Sequence, residues 1–160
     1  MKATKILEWR NSQCEVVGVR IKSLDTLLIC MYRPPESGNE STFNECIDIL
    51  QLTVNENADL KKVIVCGDLN FPMIQWPDGD FKNRGKSKES EKIQANMYLD
   101  FLETNDLVNI INTPTRQSNI LDLFTVNVQD NYELKDTIIN KKISDHNWIN
   151  ITIKPGNSDK

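Results

Sequence analysis

The sequence has no long hydrophobic run, and no apolar stretch approaches the roughly 20 residues that a membrane-spanning helix needs. Its first residues, MKATKILEWRNSQ, have none of the apolar core of a signal peptide. Zinc-ligand spacing is missing too: Cys14, Cys30, Cys46 and Cys66 stand far apart, with no CxxC or Cys/His pattern. Cys30 and Cys66 lie inside apolar runs, where a thiol is expected to pack as a small hydrophobe. These absences together predict an intracellular, reduced, soluble protein with no membrane partner. There is no internal repeat and no low-complexity segment, and His146 is the only histidine.

What is present suits one folded domain. With 160 residues, 39% apolar and 26% charged, the chain can bury a single sizeable core and is too short for two. The net charge of −4 argues against a protein that coats nucleic acid by phosphate neutralisation alone. It does not exclude an enzyme of nucleic acid, because carboxylates gathered around a divalent cation lower the formal charge while the ion restores positive potential. Between Asp80 and Lys92 five basic residues (Lys82, Arg84, Lys86, Lys88, Lys92) face three acidic ones (Asp80, Glu89, Glu91), which reads as a mobile surface loop.

Along the chain, CEVVGVRI (Cys14 to Ile21) alternates with the period of a half-buried strand. A turn at Lys22 to Asp25 leads to LLICMY, a more central strand expected to pair with the first as a hairpin. RPPESGNES must be loop. Thr42 with Glu45 has capping-box form, and Phe43, Ile47, Leu50 and Val54 predict a helix from Thr42 to Glu56. KKVIVCGDLN then reads as a strand buried on both faces and ended by Gly67. A second helix is expected from Ser90 to Thr104 with Ile93, Met97, Phe101 and Leu102 inward, and strands near Leu107 to Ile111, Leu121 to Asn127 and Trp148 to Ile153. The alternation of strand, helix and strand predicts an α/β protein, a sheet with helices packed on it, over residues 1–154, with 155–160 a polar tail.

Three polar sites stand out against this apolar framework. Asp68 and Asn70, in Gly67-Asp68-Leu69-Asn70, follow a buried strand into the crevice above a sheet, where a carboxylate and an amide donor can act on a phosphoryl oxygen. An ordinary strand-exit turn favours the same residue types. His146, in Ser144-Asp145-His146, precedes the last strand, and imidazole is suited to bind or protonate a phosphate oxygen near neutral pH; a structural role at a strand entry is the alternative. Asp122, within the apolar Asn119-Ile-Leu-Asp-Leu-Phe, needs a partner if buried, and a histidine ring N–H would serve; at a sheet edge it would face solvent instead. Together with Tyr32, at the end of the second strand, these side chains come from different strands, which is how an active site is assembled on a rigid scaffold.

Tyr32-Arg-Pro-Pro, Gly67-Asp-Leu-Asn with Phe71-Pro and Trp76, Thr113-Pro-Thr-Arg116 with Asn119-Ile-Leu-Asp-Leu, and Ser144-Asp-His-Asn resemble, in order and spacing, the endonuclease domain of non-LTR (LINE-type) retrotransposons. That domain belongs to the endonuclease/exonuclease/phosphatase superfamily, with the AP endonucleases and DNase I. The resemblance covers about residues 12 to 153. It implies a DNase I-like, four-layer α/β/β/α fold, a two-layered β-sandwich flanked by helices, and a Mg2+- or Mn2+-dependent phosphodiesterase that nicks DNA and leaves a 3′ hydroxyl. It implies that Asp68 positions or deprotonates the attacking water, Asn70 stabilises the transition state, and Asp145, Asp68 and Asn70 serve the metal site. His146 would bind or protonate the scissile phosphate, Asp122 would orient His146, and Tyr32 would hydrogen-bond the phosphate or the leaving oxygen. Arg116 and Asn119 would lie near the DNA. A reverse transcriptase downstream and a nuclear location are expected from the same resemblance.

The front of the chain departs from that pattern. The family's domain opens with a strand carrying Asn or Asp and another carrying its principal magnesium-ligand Glu, both well upstream of the YRPP segment. Glu8 and Glu15 are the only glutamates before Tyr32 and neither matches, so the chain is expected to lack about the first third of the domain, and with it the leading metal ligand, and to bind Mg2+ or Mn2+ weakly. The alternatives are a catalytically inactive remnant of such an endonuclease, or a phosphatase or sphingomyelinase-like hydrolase of the same fold.

Overall fold

The computed structural model describes residues 2–35, 38–76, 79–81, 88–127, 132–138 and 145–153. In chain order the elements are β1 (Ala3–Arg10), β2 (Glu15–Ile21), a 3-10 turn (Lys22–Leu24), β3 (Thr26–Tyr32), α1 (Glu40–Glu56), β4 (Lys62–Asp68), β5 (Ile74–Gln75), β6 (Asp80–Phe81), α2 (Glu89–Thr104), β7 (Val108–Asn109), β8 (Asp122–Val126), β9 (Tyr132–Ile138) and β10 (Trp148–Ile153). Six strands form one mixed sheet in the order β1-β2-β3-β4-β8-β7. All neighbours run antiparallel except β3 and β4, which are parallel and joined through α1.

Alternation along the central strands divides the sheet into two faces. Leu27, Ile29 and Met31 of β3 and Val63 and Val65 of β4 pack with Phe43, Cys46 and Leu50 of α1 and with Ala95, Tyr98, Phe101 and Leu102 of α2. This helix-covered side is the main core. On the opposite side Ile64 and Val126 are buried with Leu28, Cys66, Phe124 and Ile151, the last from the β9–β10 hairpin. Strand β4 is therefore covered on both faces, as its unbroken apolar run predicts. A mixed sheet with helices on it is the α/β class expected.

Several boundaries differ from the sequence reading. Helix α1 starts at Glu40 rather than Thr42, because the Asn39 side chain caps it by accepting from the Ser41 N–H. Helix α2 turns Gln94, Ala95 and Tyr98 inward with Phe101 and Leu102, leaving Ile93 and Met97 half-buried; Gln94 faces in to meet Arg33. Strand β1 has no apolar period that predicts it, because its side chains are mostly in solvent, only Leu7 and Trp9 packing on the core. Strand β9 was also missed. Cys30 is exposed and does not pack as a core hydrophobe. Of the expected loop between Asp80 and Lys92, residues 82–87 lie outside the described residues and Glu89–Lys92 form the start of α2. The expected tail, 155–160, and Ser144 also lie outside them.

Gly67 fixes how β4 ends. Its φ is 136°, and a Cβ there would lie 1.9 Å from the Met31 carbonyl oxygen, so only glycine allows β4 to approach β3 this closely just before Asp68.

Candidate active site

Asp68 is the last residue of β4 and Asp122 the first of β8, and they stand directly opposite in the antiparallel register. Paired residues share a sheet face, so two carboxylates project side by side from the sheet. His146, in the loop entering β10, completes the group. Its Nδ1 lies 2.8 Å from Asp122 Oδ2, and its Nε2 lies 3.8 Å from Asp68 Oδ2. One ligand-type atom from each of the three lies within 4.8 Å of the others. The three side chains are 18–25% exposed, enclosed enough to strengthen electrostatics and open enough to admit a substrate.

Burial, and next the Asp122 carboxylate beside it, push the Asp68 carboxyl above the usual carboxylate range; His146 and the Asn70 N–H pull partly the other way. A carboxylate raised in this way is a stronger base than an ordinary aspartate. The same repulsion favours a cation. Mg2+ takes oxygen donors, usually one or two carboxylates with water and phosphate oxygens making up the rest, and Asp68 with Asp122 fits that requirement.

The backbone around Asp68 is fixed from two directions. Asn70, at φ 49°, donates its N–H to Asp68 Oδ1 at 3.2 Å and its side-chain amide to the Arg33 carbonyl at 2.9 Å. Arg33, fully buried, donates to the carbonyls of Leu69 and Asn70 and, through Nε and Nη2, to Gln94 Oε1 at 3.1 and 2.9 Å. Its guanidinium also lies over the Phe71 ring, 4.2 Å from the centroid. The arginine of Tyr32-Arg-Pro-Pro is thus an internal clamp on the loop that carries Asn70, a role that sequence reading did not assign.

A second clamp holds the other half. Thr115, fully buried, accepts the N–H groups of Leu121 and Asp122 on its hydroxyl at 2.9 and 3.0 Å. Its carbonyl accepts from the Asn147 N–H at 2.6 Å, and the Asn147 amide donates to the Pro114 carbonyl. One residue therefore ties Asp122's strand to the loop of His146. Neither Thr115 nor Asn147 was singled out in the sequence, although the Thr-Pro-Thr-Arg segment that carries the first was.

The other expected site residues fall around this centre. Arg116 Nη2 pairs with Asp145 Oδ2 at 2.5 Å, so Asp145 sits on the exposed rim while Asp68 faces Asp122 and His146. Asn119 closes a tight turn with Arg116 through backbone hydrogen bonds in both directions. Tyr32 ends β3, 44% exposed, two residues beyond Cys30, which pairs with Cys66 in the parallel register. It therefore shares the sheet face of Asp68. Glu15 stands opposite Tyr32 across β2 and β3, and Glu8 pairs with Lys5 on β1.

Residues 26–150 match the family model described as endonuclease-reverse transcriptase. The chain belongs to this family, within the endonuclease/exonuclease/phosphatase superfamily. Among solved structures, this endonuclease domain is similar to the endonuclease domain of TRAS1, a telomere-specific non-LTR retrotransposon, at 14% identity and a TM-score of 0.57, over 94% of this chain and 68% of that one. It is also similar to the human Nocturnin catalytic domain, solved with a bound sulfate anion, at 13% identity and a TM-score of 0.52, over 96% of this chain and 59% of that one. These two likenesses show a shared fold. No curated protein matches the sequence.

Proposed function

We propose that this endonuclease domain hydrolyses phosphodiester bonds of DNA with a divalent cation, Mg2+ or Mn2+, nicking one strand and leaving a 3′ hydroxyl. The observation that carries this reading is the convergence of Asp68, Asp122 and His146, with His146 held through Nδ1 by Asp122. An anchored Nδ1 fixes the ring so that Nε2 is the atom aimed at a substrate.

In the reaction a water oxygen bonds to phosphorus as the bond from phosphorus to O3′ breaks, giving a 5′ phosphate and a 3′ hydroxyl. Asp68, raised above its ordinary range by burial, accepts the proton of the attacking water. His146, held through Nδ1 by Asp122, presents Nε2 to a non-bridging phosphate oxygen and binds it as charge grows there. Tyr32 hydrogen-bonds the phosphate or the leaving O3′, which takes up a proton from solvent water, and Asn70 keeps the Asp68 carboxylate aligned. Asp68 and Asp122 would hold the cation, with Asn70 on the loop that follows Asp68 and Asp145 on the rim beside His146. When bound, the cation would polarise the phosphoryl oxygens and neutralise developing charge. Arg116 and Asn119, on the rim, would meet the DNA backbone.

The family description and the similarity to the TRAS1 domain support DNA as the substrate and a linked reverse transcriptase, primed by the 3′ hydroxyl, as partner. The test is to incubate the chain with supercoiled plasmid and Mg2+, then offer the product to a DNA polymerase with labelled nucleotides. Open circles that are labelled without end repair support the proposal. Release of inorganic phosphate from monoesters without nicking would favour the phosphatase alternative.

A further inference from the structure

We infer that Cys30 and Cys66 form a cross-strand dithiol that low-molecular-weight disulfides convert to an intrachain disulfide. The two residues are direct partners in the parallel register of β3 and β4. Neighbouring strands lie about 4.8 Å apart and paired side chains leave the sheet on the same face, inside the Cα separation of about 4.4–6.8 Å that disulfides span. Cys30 is exposed, whereas Cys66 is partly covered beside Ile64 and Val126. The other two cysteines, Cys14 and Cys46, are buried in the main core and supply an internal control.

This asymmetry assigns the roles. Cys30, as thiolate, attacks one sulfur of glutathione disulfide; that S–S bond breaks, and one glutathione leaves and takes up a proton. Cys66 then attacks the Cys30 sulfur, the mixed disulfide breaks, and the second glutathione leaves with the Cys66 proton. Two protein thiols have lost two electrons and two protons, and one glutathione disulfide has become two glutathiones. The hydrogen bond from Cys66 outweighs burial and pulls Cys30 down to about 6, which supplies thiolate at neutral pH. The bond so formed would tie β3 to β4 two residues before Tyr32 and Asp68, on the face those residues share.

The experiment exposes the folded chain to a series of glutathione disulfide to glutathione ratios, quenches with acid, alkylates free thiols and maps peptides by mass spectrometry without reduction. The expected product is a Cys30–Cys66 linked peptide pair two hydrogens lighter than its separate parts, formed at least about 10-fold faster than any change at Cys14 or Cys46. In Cys66→Ser the glutathione adduct on Cys30 should accumulate, and in Cys30→Ser neither product should form. A wild-type chain that keeps the glutathione adduct on Cys30 without crosslinking would overturn the inference. So would a chain in which Cys14 and Cys46 are oxidised while Cys30 is still alkylated. The wild-type map decides the matter even if a variant fails to fold, and it does not depend on nuclease activity.

Discussion

His146 Nδ1 lies 2.8 Å from Asp122 Oδ2, across 24 residues of chain, and this contact sets the direction in which the only imidazole of the protein points. Replacing the carboxylate with an amide removes the acceptor that Nδ1 faces and lets the ring rest in the wrong tautomer or orientation. Asp122→Asn is therefore expected to lower the nicking rate about 10²- to 10⁴-fold. Single-turnover nicking at saturating enzyme reads this loss directly, and a rate within about 3-fold of wild type would show that Asp122 does not orient His146.

Asp68 trades stability for reactivity. Its folded carboxyl ionises at higher pH than in the unfolded chain, so between the two values the folded state binds more protons. Stability therefore falls as pH rises from the ordinary carboxylate range through the folded value, and the penalty persists at neutral pH. Asp68→Asn should melt at a higher temperature than wild type at pH 7, with the difference vanishing in acid below the ordinary carboxylate range. Mg2+ should raise the wild-type melting temperature at pH 7 more than that of the variant. Thermal melts at several pH values, with and without Mg2+, check both statements.

Thr115 carries two backbone N–H groups on one buried hydroxyl. Thr115→Val keeps the shape and strands both donors, at a cost of about 2–4 kcal/mol, whereas Thr115→Ser should cost less than about 1.5 kcal/mol. Urea unfolding measures the difference. Equal losses would mean that the methyl group, not the hydroxyl, holds the segment.

Arg33 is buried against neutral oxygens, so its removal leaves Gln94 Oε1 and the Leu69 and Asn70 carbonyls without their donor. Arg33→Met is expected to destabilise by about 3 kcal/mol or more. Arg33→Lys keeps the charge but cannot reproduce the fork, and should recover only part of that loss. Denaturation of both variants separates the two contributions.

The sequence revealed the central framework because its strands are either alternating or continuously apolar. Cys14 to Ile21, Leu27 to Tyr32 and Val63 to Cys66 carry patterns that sheet burial imposes. The Asp122–His146 partnership was also legible, since a carboxylate inside an apolar strand requires a counterpart. Strands β1 and β9 were not, because an edge strand in solvent such as β1 needs no hydrophobic alternation, and in YELKDTI the charged Asp136 interrupts the alternation of Tyr132, Leu134 and Ile138. Arg33 and Thr115 were missed for a different reason: their partners are main-chain carbonyls and amides and, for Arg33, the side chain of Gln94 61 residues away, none of which leaves a mark on composition or spacing. The pairing of Asp145 with Arg116 rather than with the acidic centre depends on a loop path that periodicity does not encode.

The measurement that tests the central claim most directly is Mg2+-dependent nicking of supercoiled plasmid by the wild-type chain beside His146→Gln and Asp68→Ala. Nicking by the wild type that stops with a chelator and falls at least about 10²-fold in each variant is the predicted result. Nicking that persists in both variants, or a wild type that folds and binds Mg2+ yet leaves DNA intact, would contradict the assignment of this site to phosphodiester cleavage.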